Sequence, residues 1–317
     1  MPHASAASPL ARLVSHIEKV IQGKREAVTL AVVGLAAEGH VLLEDVPGTG
    51  KTTLARALAR SIDVQFSRIQ FTSDLLPTDV LGFSAPSPTD GRFVFRRGPI
   101  FGNIVLADEL NRSTPRTQSA LLECMNERRA SVDGEVHELP RPFMVVATQN
   151  PLEFEGTYPL PESQLDRFLL RVRLGYPDRA VERAVMRSRL DGDPLDELQP
   201  ILTEAELLAE LDAVRAVHVE DMLLDYALDL IEATRTSGRF LLGASPRAGI
   251  GWMRAAQALA RIDGREHVLP DDVKQLAVPV LAHRVVRTPR MELGGGAEDG
   301  GVEEEIAALL EEVPVPA

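Results

Sequence analysis

An α/β architecture built on a parallel sheet, followed by a second, all-helical unit, is the fold class this sequence predicts. Three observations predict it. Through the first half of the chain, short β-branched runs alternate with helical patterns. A Gly-Lys-Thr loop stands between one predicted strand and one predicted helix. After Pro177 the strand signal vanishes and only helical periodicity remains. With 317 residues the chain has room for about two domains.

Taken in order, helices are expected over Ala11–Ile21 and Ala27–Ala37, then a strand over His40–Asp45 and a helix over Thr52–Ile62. Further strands fit Val64–Phe71, Asn103–Asp108, Phe143–Gln149 and Phe168–Leu174. A helix over Pro115–Arg129 opens on Ser113-Thr114-Pro115, a hydroxyl cap with proline in the first turn. Two insertions break the alternation. Thr72–Phe101 is rich in Pro and Gly and carries a short apolar Phe93-Val94-Phe95 strand. Ser131–Leu139 turns on Asp133-Gly134, a two-residue hairpin signal.

In the second half, Thr203 and Glu206 form a capping box ahead of a helix through about Val217. Asp221–Arg235, Pro246–Ile262 and Asp271–His283 fit further helices, the last containing Pro279. The expected division is an α/β domain over 1–177, a helical domain over 178–290, and a Gly-rich linker with a short acidic helix over 291–317. That last helix, Val302–Glu312, is too short to be stable alone. It reads as a solvated segment or a docking helix outside the main body.

Composition narrows the function classes. Aromatic residues are only 4%, which leaves little for base-stacking platforms. The formal charge is −13, and eight acids with no Lys or Arg fall after Arg290. An acidic chain without strongly basic inserts disfavours nucleic acid as a partner, because phosphates require clustered cations. Cys124 is the one cysteine, so neither an internal disulfide nor a cysteine-built zinc site can form. No apolar stretch is long and uninterrupted enough to span a bilayer, and no signal peptide is visible; the expectation is a cytoplasmic protein.

The chemistry concentrates in five segments. Pro47, Gly48, Thr49, Gly50, Lys51, Thr52 and Thr53 form a loop whose glycines let backbone N–H groups curl around a phosphate chain. The helix that follows adds the positive end of its dipole. Lys51 is placed to reach the β- and γ-phosphates, and Thr52 to ligate Mg²⁺. Asp45 occupies the position five residues before Gly50 where the strict pattern has glycine.

Second, Ile104–Ala107 buries a central strand that delivers Asp108 and Glu109 at its carboxyl end. Asp108 suits outer-shell coordination of Mg²⁺, and Glu109 suits polarising a water for attack on the γ-phosphate. Third, Asn150 tips a buried strand, where it is either a phosphate-sensing amide or a turn residue before Pro151. Fourth, Arg167 follows Asp166, with which it could simply form a surface pair. Fifth, Arg247 sits in the first turn of a helix opened by Ser245-Pro246. A cation there opposes the helix dipole, so an anion is expected nearby.

Together these residues resemble the AAA+ ATPases, and within them the MoxR family. The resemblance runs from about Leu13 to Val313. It is carried by Leu42-Leu43-Glu44-Asp45-Val46-Pro47-Gly48, Ala107-Asp108-Glu109-Leu110-Asn111-Arg112 and Glu155-Gly156-Thr157-Tyr158-Pro159-Leu160-Pro161-Glu162. Asp45 is ordinary in that family. The resemblance implies a five-stranded sheet in order 5-1-4-3-2, a helical lid and a hexameric ring. It assigns Asn150 to sensor 1, Arg167 to the arginine finger and Arg247 to sensor 2, acting on its own nucleotide or a neighbour's. The insertions correspond to a helix-2 insert (about 72–101) and a pre-sensor-1 hairpin (about 131–139). The implied activity is Mg²⁺-dependent ATP hydrolysis coupled to chaperone-like remodelling, maturation or assembly of a client protein, with a von Willebrand factor A domain protein as partner. A magnesium-chelatase-like motor subunit and a non-hydrolysing nucleotide-switch scaffold are the alternatives.

Overall fold

The computed structural model describes residues 7–46, 48–87, 92–150, 156–289 and 301–316. Pro47 of the phosphate loop, Glu155 and the Gly-rich linker through residue 300 lie outside the described residues.

Helix α1 (Pro9–Ile17) starts earlier and ends sooner than periodicity suggests. Ser8 caps it, its Oγ accepting the Ala11 N–H at 3.0 Å, with proline at the first helical position. In α2 (Arg25–Ala36) nine of twelve residues are buried. A helix apolar all round needs cover on every side. The strand edge and the second domain supply it, for α2 packs on both.

The sheet strands are β1 (Val41–Glu44), β2 (Phe66–Gln70), β5 (Ile104–Asp108), β8 (Met144–Gln149) and β9 (Leu170–Val172). Between β1 and β2 runs α3 (Lys51–Ile62); between β5 and β8 runs α5 (Pro115–Glu127), capped by Thr114. All neighbours pair in parallel, in the order β2-β5-β8-β1-β9. Counting only these five strands along the chain, that is 5-1-4-3-2, as expected. Their side chains alternate between two cores. Val41, Leu43, Leu106 and Val146 meet α1–α3 and the second domain, whereas Leu42, Val105, Val145 and Ala147 meet α5. Burial on both faces is why the three central strands, β5, β8 and β1, read as continuous apolar runs, whereas β2 at the edge buries only Ile69.

The first insertion contains a helix the sequence reading did not resolve, α4 (Pro77–Leu81), and a full hairpin of β3 (Gly82–Pro86) with β4 (Phe93–Arg97). The second is the hairpin of β6 (Arg129–Val132) and β7 (Glu135–Glu138). Its Asp133 and Gly134 have φ of 54° and 81°, the left-handed pair that a tight hairpin turn requires. The hairpins touch where His137 stacks on Phe95, ring centroids 3.9 Å apart.

Two buried groups on this frame have altered acidity. Cys124 on α5 is 1% exposed, and burial pushes its thiol up to about 12. His40, just before β1, donates from Nε2 to the Met125 carbonyl at 2.9 Å and accepts the Val145 N–H on Nδ1 at 3.0 Å. Accepting on Nδ1 requires the neutral ring, and burial lowers its pKa to about 4. The unfolded chain therefore binds the proton more readily. Stability from His40 is full above its ordinary value of 6.5 and is lost as pH falls toward about 4. The expected slope is about 1.4 kcal/mol per pH unit for that one proton. Thermal melts from pH 7 to pH 4 should show it, and His40→Gln should flatten it; buried His283, lowered in the same direction, adds its own slope.

After the short α6 (Glu162–Leu165) and β9, the chain enters the helical region: α7 (Arg179–Asp191), α8 (Pro194–Glu197), α9 (Glu204–Arg215), α10 (Asp221–Thr236), α11 (Pro246–Ile262) and α12 (Pro270–Leu281). The Thr203–Glu206 capping box is present at α9. Helices α7 and α8 fall inside the stretch read as helical, though without bounds of their own. One feature departs from the all-helical expectation: β10 (Phe240–Leu242) pairs antiparallel with β11 (Val286–Arg287). Strands of three and two residues are too short to show a period.

The acidic tail corrects a second expectation. Helix α13 (Val302–Glu312) is not a solvated appendage: it packs on α10 and α12 and buries Ile306 and Leu309. Its Glu303 pairs with Arg171 and, at 2.9 Å, with Arg173, and Arg239 takes Glu305 and Glu312. Packing offsets the short length that would leave it unstable alone. Among the described residues no helix is long and apolar enough to cross a membrane.

Candidate active site

The phosphate loop leaves the carboxyl end of β1 and turns on Gly48 and Gly50, with φ of 84° and 96°. A Cβ at either would meet nothing within 4 Å. These glycines therefore serve backbone conformation, and the space they face is open. Lys51 opens α3 and folds over the loop, its Nζ donating to the carbonyls of Asp45 at 2.6 Å and Val46 at 2.9 Å. Burial lowers its pKa, while Asp45, Asp108 and Glu109 pull it back up.

The open space is a cleft of about 360 Å³. Gly48, Gly50, Lys51, Thr52 and Thr53 line one side; Asp108, Glu109, Thr148, Gln149 and Asn150 line the other. The structure thus brings together the loop, the acids and the strand-tip amide that the sequence reading selected. Asp108 is buried at the tip of β5. Its Oδ1 accepts the Thr148 hydroxyl at 2.7 Å, and its Oδ2 accepts Arg68 Nη2 at 2.6 Å. Glu109 adopts φ 57°, left-handed and costly by about 1 kcal/mol for a non-glycine residue. Its N–H donates to Thr148 Oγ1 at 2.8 Å, and its Oε2 accepts Gln70 Nε2 at 2.8 Å. Arg112 Nε stands 3.4 Å from the same carboxylate.

Sequence reasoning missed Gln70, Arg68 and Thr148. Gln70 ends β2 and pairs in register with Asp108, so a polar residue at that strand tip was the available signal. The cleft fits Mg²⁺ and a nucleoside triphosphate in its donor set. Lys51 and the α3 N-terminus suit phosphate oxygens, and Gln149 Oε1 is a buried acceptor without a partner at the cleft wall. Among the described residues no group of three or more His, Cys, Asp or Glu could hold a metal unaided. Thr52 and Asp108 would hold Mg²⁺ together with phosphate oxygens, as that ion commonly requires.

Arg167 and Arg247 are elsewhere. Arg167 precedes β9, where the Leu169 N–H donates to the His40 carbonyl at 2.8 Å, ahead of β1. The phosphate loop leaves the other end of β1. Arg167 Nη1 donates to the Leu122 carbonyl at 2.7 Å. The Asn126 amide lies between the two arginines: one orientation of its oxygen takes Arg167 Nη1 at 2.6 Å, the other takes Arg247 Nη1 at 3.5 Å. The shorter bond favours the first. Burial and then the charge of Arg247 lower the Arg167 pKa. Arg128, Arg254 and Arg284 border the same shallow pocket of about 190 Å³.

The surface pairing of Arg167 with Asp166 is not what forms. Asp166 accepts the Ser245 hydroxyl at 3.0 Å and faces Arg284 Nε at 3.2 Å. Ser245 caps α11, so Asp166 places an anion at the N-terminus of the helix whose first turn carries Arg247.

Known proteins share the fold and much of the sequence. Residues 40–170 match the family model described as ATPase family associated with various cellular activities (AAA), and residues 232–305 match the AAA lid domain. Chaperone MoxR1 of Mycobacterium tuberculosis is 40% identical over 90% of this chain and 78% of its own. Protein MoxR of Paracoccus denitrificans is 33% identical over 94% of each chain. This chain belongs to the MoxR family of AAA+ ATPases. Another relative of this MoxR-family chain is the uncharacterized protein YeaC of Bacillus subtilis, 46% identical over 96% of this chain and 95% of its own. A crystal structure from Cytophaga hutchinsonii, assigned to an ATPase, superposes with a TM-score of 0.88 at 37% identity, covering 96% of this chain and 94% of that one. The nucleotide cleft and helical lid are therefore those of an AAA+ protein.

Proposed function

We propose that this chain is a Mg²⁺-dependent ATP hydrolase whose copies assemble into a ring, a hexamer by family likeness, and drive remodelling, maturation or assembly of a client protein in the cytoplasm. The observation that carries the reading is the placement of Glu109 beside Asp108, across one cleft from Lys51. Residues 1–177 form the ATP-binding domain, 178–290 the lid, and 291–317 a linker and helix that returns to the lid. A von Willebrand factor A domain protein is the proposed partner.

Bound Mg²⁺ would neutralise phosphate charge beside Thr52 and Asp108. Lys51 exchanges its two carbonyls for the β- and γ-phosphate oxygens, and the loop N–H groups of Gly48 to Thr53 hold the chain. Pro47, which begins that loop, is assigned to it by family likeness. Glu109 takes the proton of the attacking water, and Asn150 orients that water or the γ-phosphate. Since Arg167 and Arg247 sit together at the opposite end of β1, both are assigned to the nucleotide of a neighbouring copy.

Phosphate release by the purified chain with ATP and Mg²⁺ tests the reading. The parent should turn over, and Lys51→Ala should lose most ATP affinity and activity. Tight binding without any phosphate release would replace it with the nucleotide-switch scaffold.

A further inference from the structure

Asp45 does more than fill a position where the strict phosphate-loop pattern has glycine. Its carboxylate is buried, only 8% of the residue remaining exposed, and among the described residues its hydrogen-bond partners are backbone N–H groups, with the Lys51 charge nearby. Three backbone groups satisfy it. Oδ1 accepts the Val46 N–H at 2.8 Å, and Oδ2 accepts the N–H groups of Leu174 at 2.8 Å and Gly175 at 2.6 Å. Hydrogen bonds to an ionised acceptor are the strong ones.

The bonds join two particular places. On one side is the base of the phosphate loop, whose Asp45 and Val46 carbonyls hold Lys51. On the other is the connector between β9 and α7, where the chain leaves the sheet for the lid. Gly175 turns there with φ 62°, and Lys24 Nζ fixes the next carbonyl, Tyr176 O, at 2.8 Å. Glycine at 45 could make none of the side-chain bonds.

We infer that Asp45 is a positioning residue: it fastens the phosphate loop to the lid connector, so that withdrawal of Lys51 from the loop carbonyls by phosphate is felt at residues 174–176. The inference rests on the ATP-binding reading above. It gives this chain a short mechanical path, one side chain long, from nucleotide to lid.

The test uses the full chain with Asp45→Asn and Asp45→Ala. Asn keeps the shape, but its amide N–H₂ must face backbone donors. Both variants should raise the KM for ATP by about tenfold to a hundredfold, the scale of losing hydrogen bonds to a charged group. The value of kcat should change less, within about threefold, because binding is weakened equally in ground and transition states. Hydrogen exchange supplies the second readout. In the parent, a non-hydrolysable ATP analogue at saturating concentration should change exchange across residues 172–178. In the variants, the segment should exchange faster without nucleotide and respond little when the analogue is added.

A purely structural role would lower the melting temperature and leave KM and the exchange response as in the parent; that result overturns the inference. If Asp45→Ala fails to fold, Asp45→Asn carries both readouts. A parent chain that neither binds nor hydrolyses ATP would instead overturn the ATPase reading itself, and the coupling with it.

Discussion

Replacing Glu109 by glutamine should leave ATP binding intact and slow turnover at least about a hundredfold, the scale of a lost general base. The geometry makes this substitution clean. The Glu109 backbone bond to Thr148 does not involve its side chain, and a glutamine oxygen can still accept the Gln70 amide. Basicity disappears, and with it the charge that faces Arg112 Nε at 3.4 Å. The carboxylate is also about a third exposed, at 36%, so water reaches it from the cleft. Nucleotide titration should give parent-like affinity, with phosphate release reporting the loss. A parent-like rate would remove Glu109 from its assigned role.

The second large effect belongs to Arg167. Arg167→Ala should fold and bind ATP yet hydrolyse it about a thousandfold more slowly, the scale reported for a missing arginine finger. Its place at the far end of β1 forbids action on its own cleft, so the defect should be repairable by another copy. Lys51→Ala is inactive for a different reason and keeps its Arg167. Mixing the two inactive proteins should create contacts that pair an intact loop with an intact finger. Activity should reappear and rise with total protein concentration. Absence of recovery despite proven subunit exchange would refute action between copies, and a nearly silent Arg167→Ala would reduce the residue to a structural link to Leu122 and Asn126.

What the sequence made legible follows the range of the physical signal. The glycines at 48 and 50, the Asp133-Gly134 turn and the Ser245-Pro246 cap act within a few residues, and each was found where it was read. The three central sheet strands were found because burial on both faces leaves an unbroken apolar run; the edge strands β2 and β9 carry polar residues and were read from alternation instead. Contacts between distant segments leave no local trace. Gln70 reaches Glu109 across 39 positions, and Ser245 reaches Asp166 across 79. Periodicity could find α13 but not its seat, since Ile306 and Leu309 gain their meaning only from α10 and α12. Helix α7 was given no bounds for the opposite reason: it carries four arginines, and its short stripe of Val181, Ala184 and Val185 is not buried.

The burial of Cys124 has a practical consequence for studying assembly. A thiol that is covered by the α5 core and held protonated far above neutral pH is a poor nucleophile toward maleimides or peroxide. The native chain is thus chemically blank to thiol probes while folded, and its behaviour should be insensitive to reductant. A cysteine introduced at Val136, 55% exposed on the β6–β7 hairpin, would be the one reactive thiol. Donor- and acceptor-labelled batches of that variant could then report, by energy transfer, whether and how quickly copies exchange neighbours.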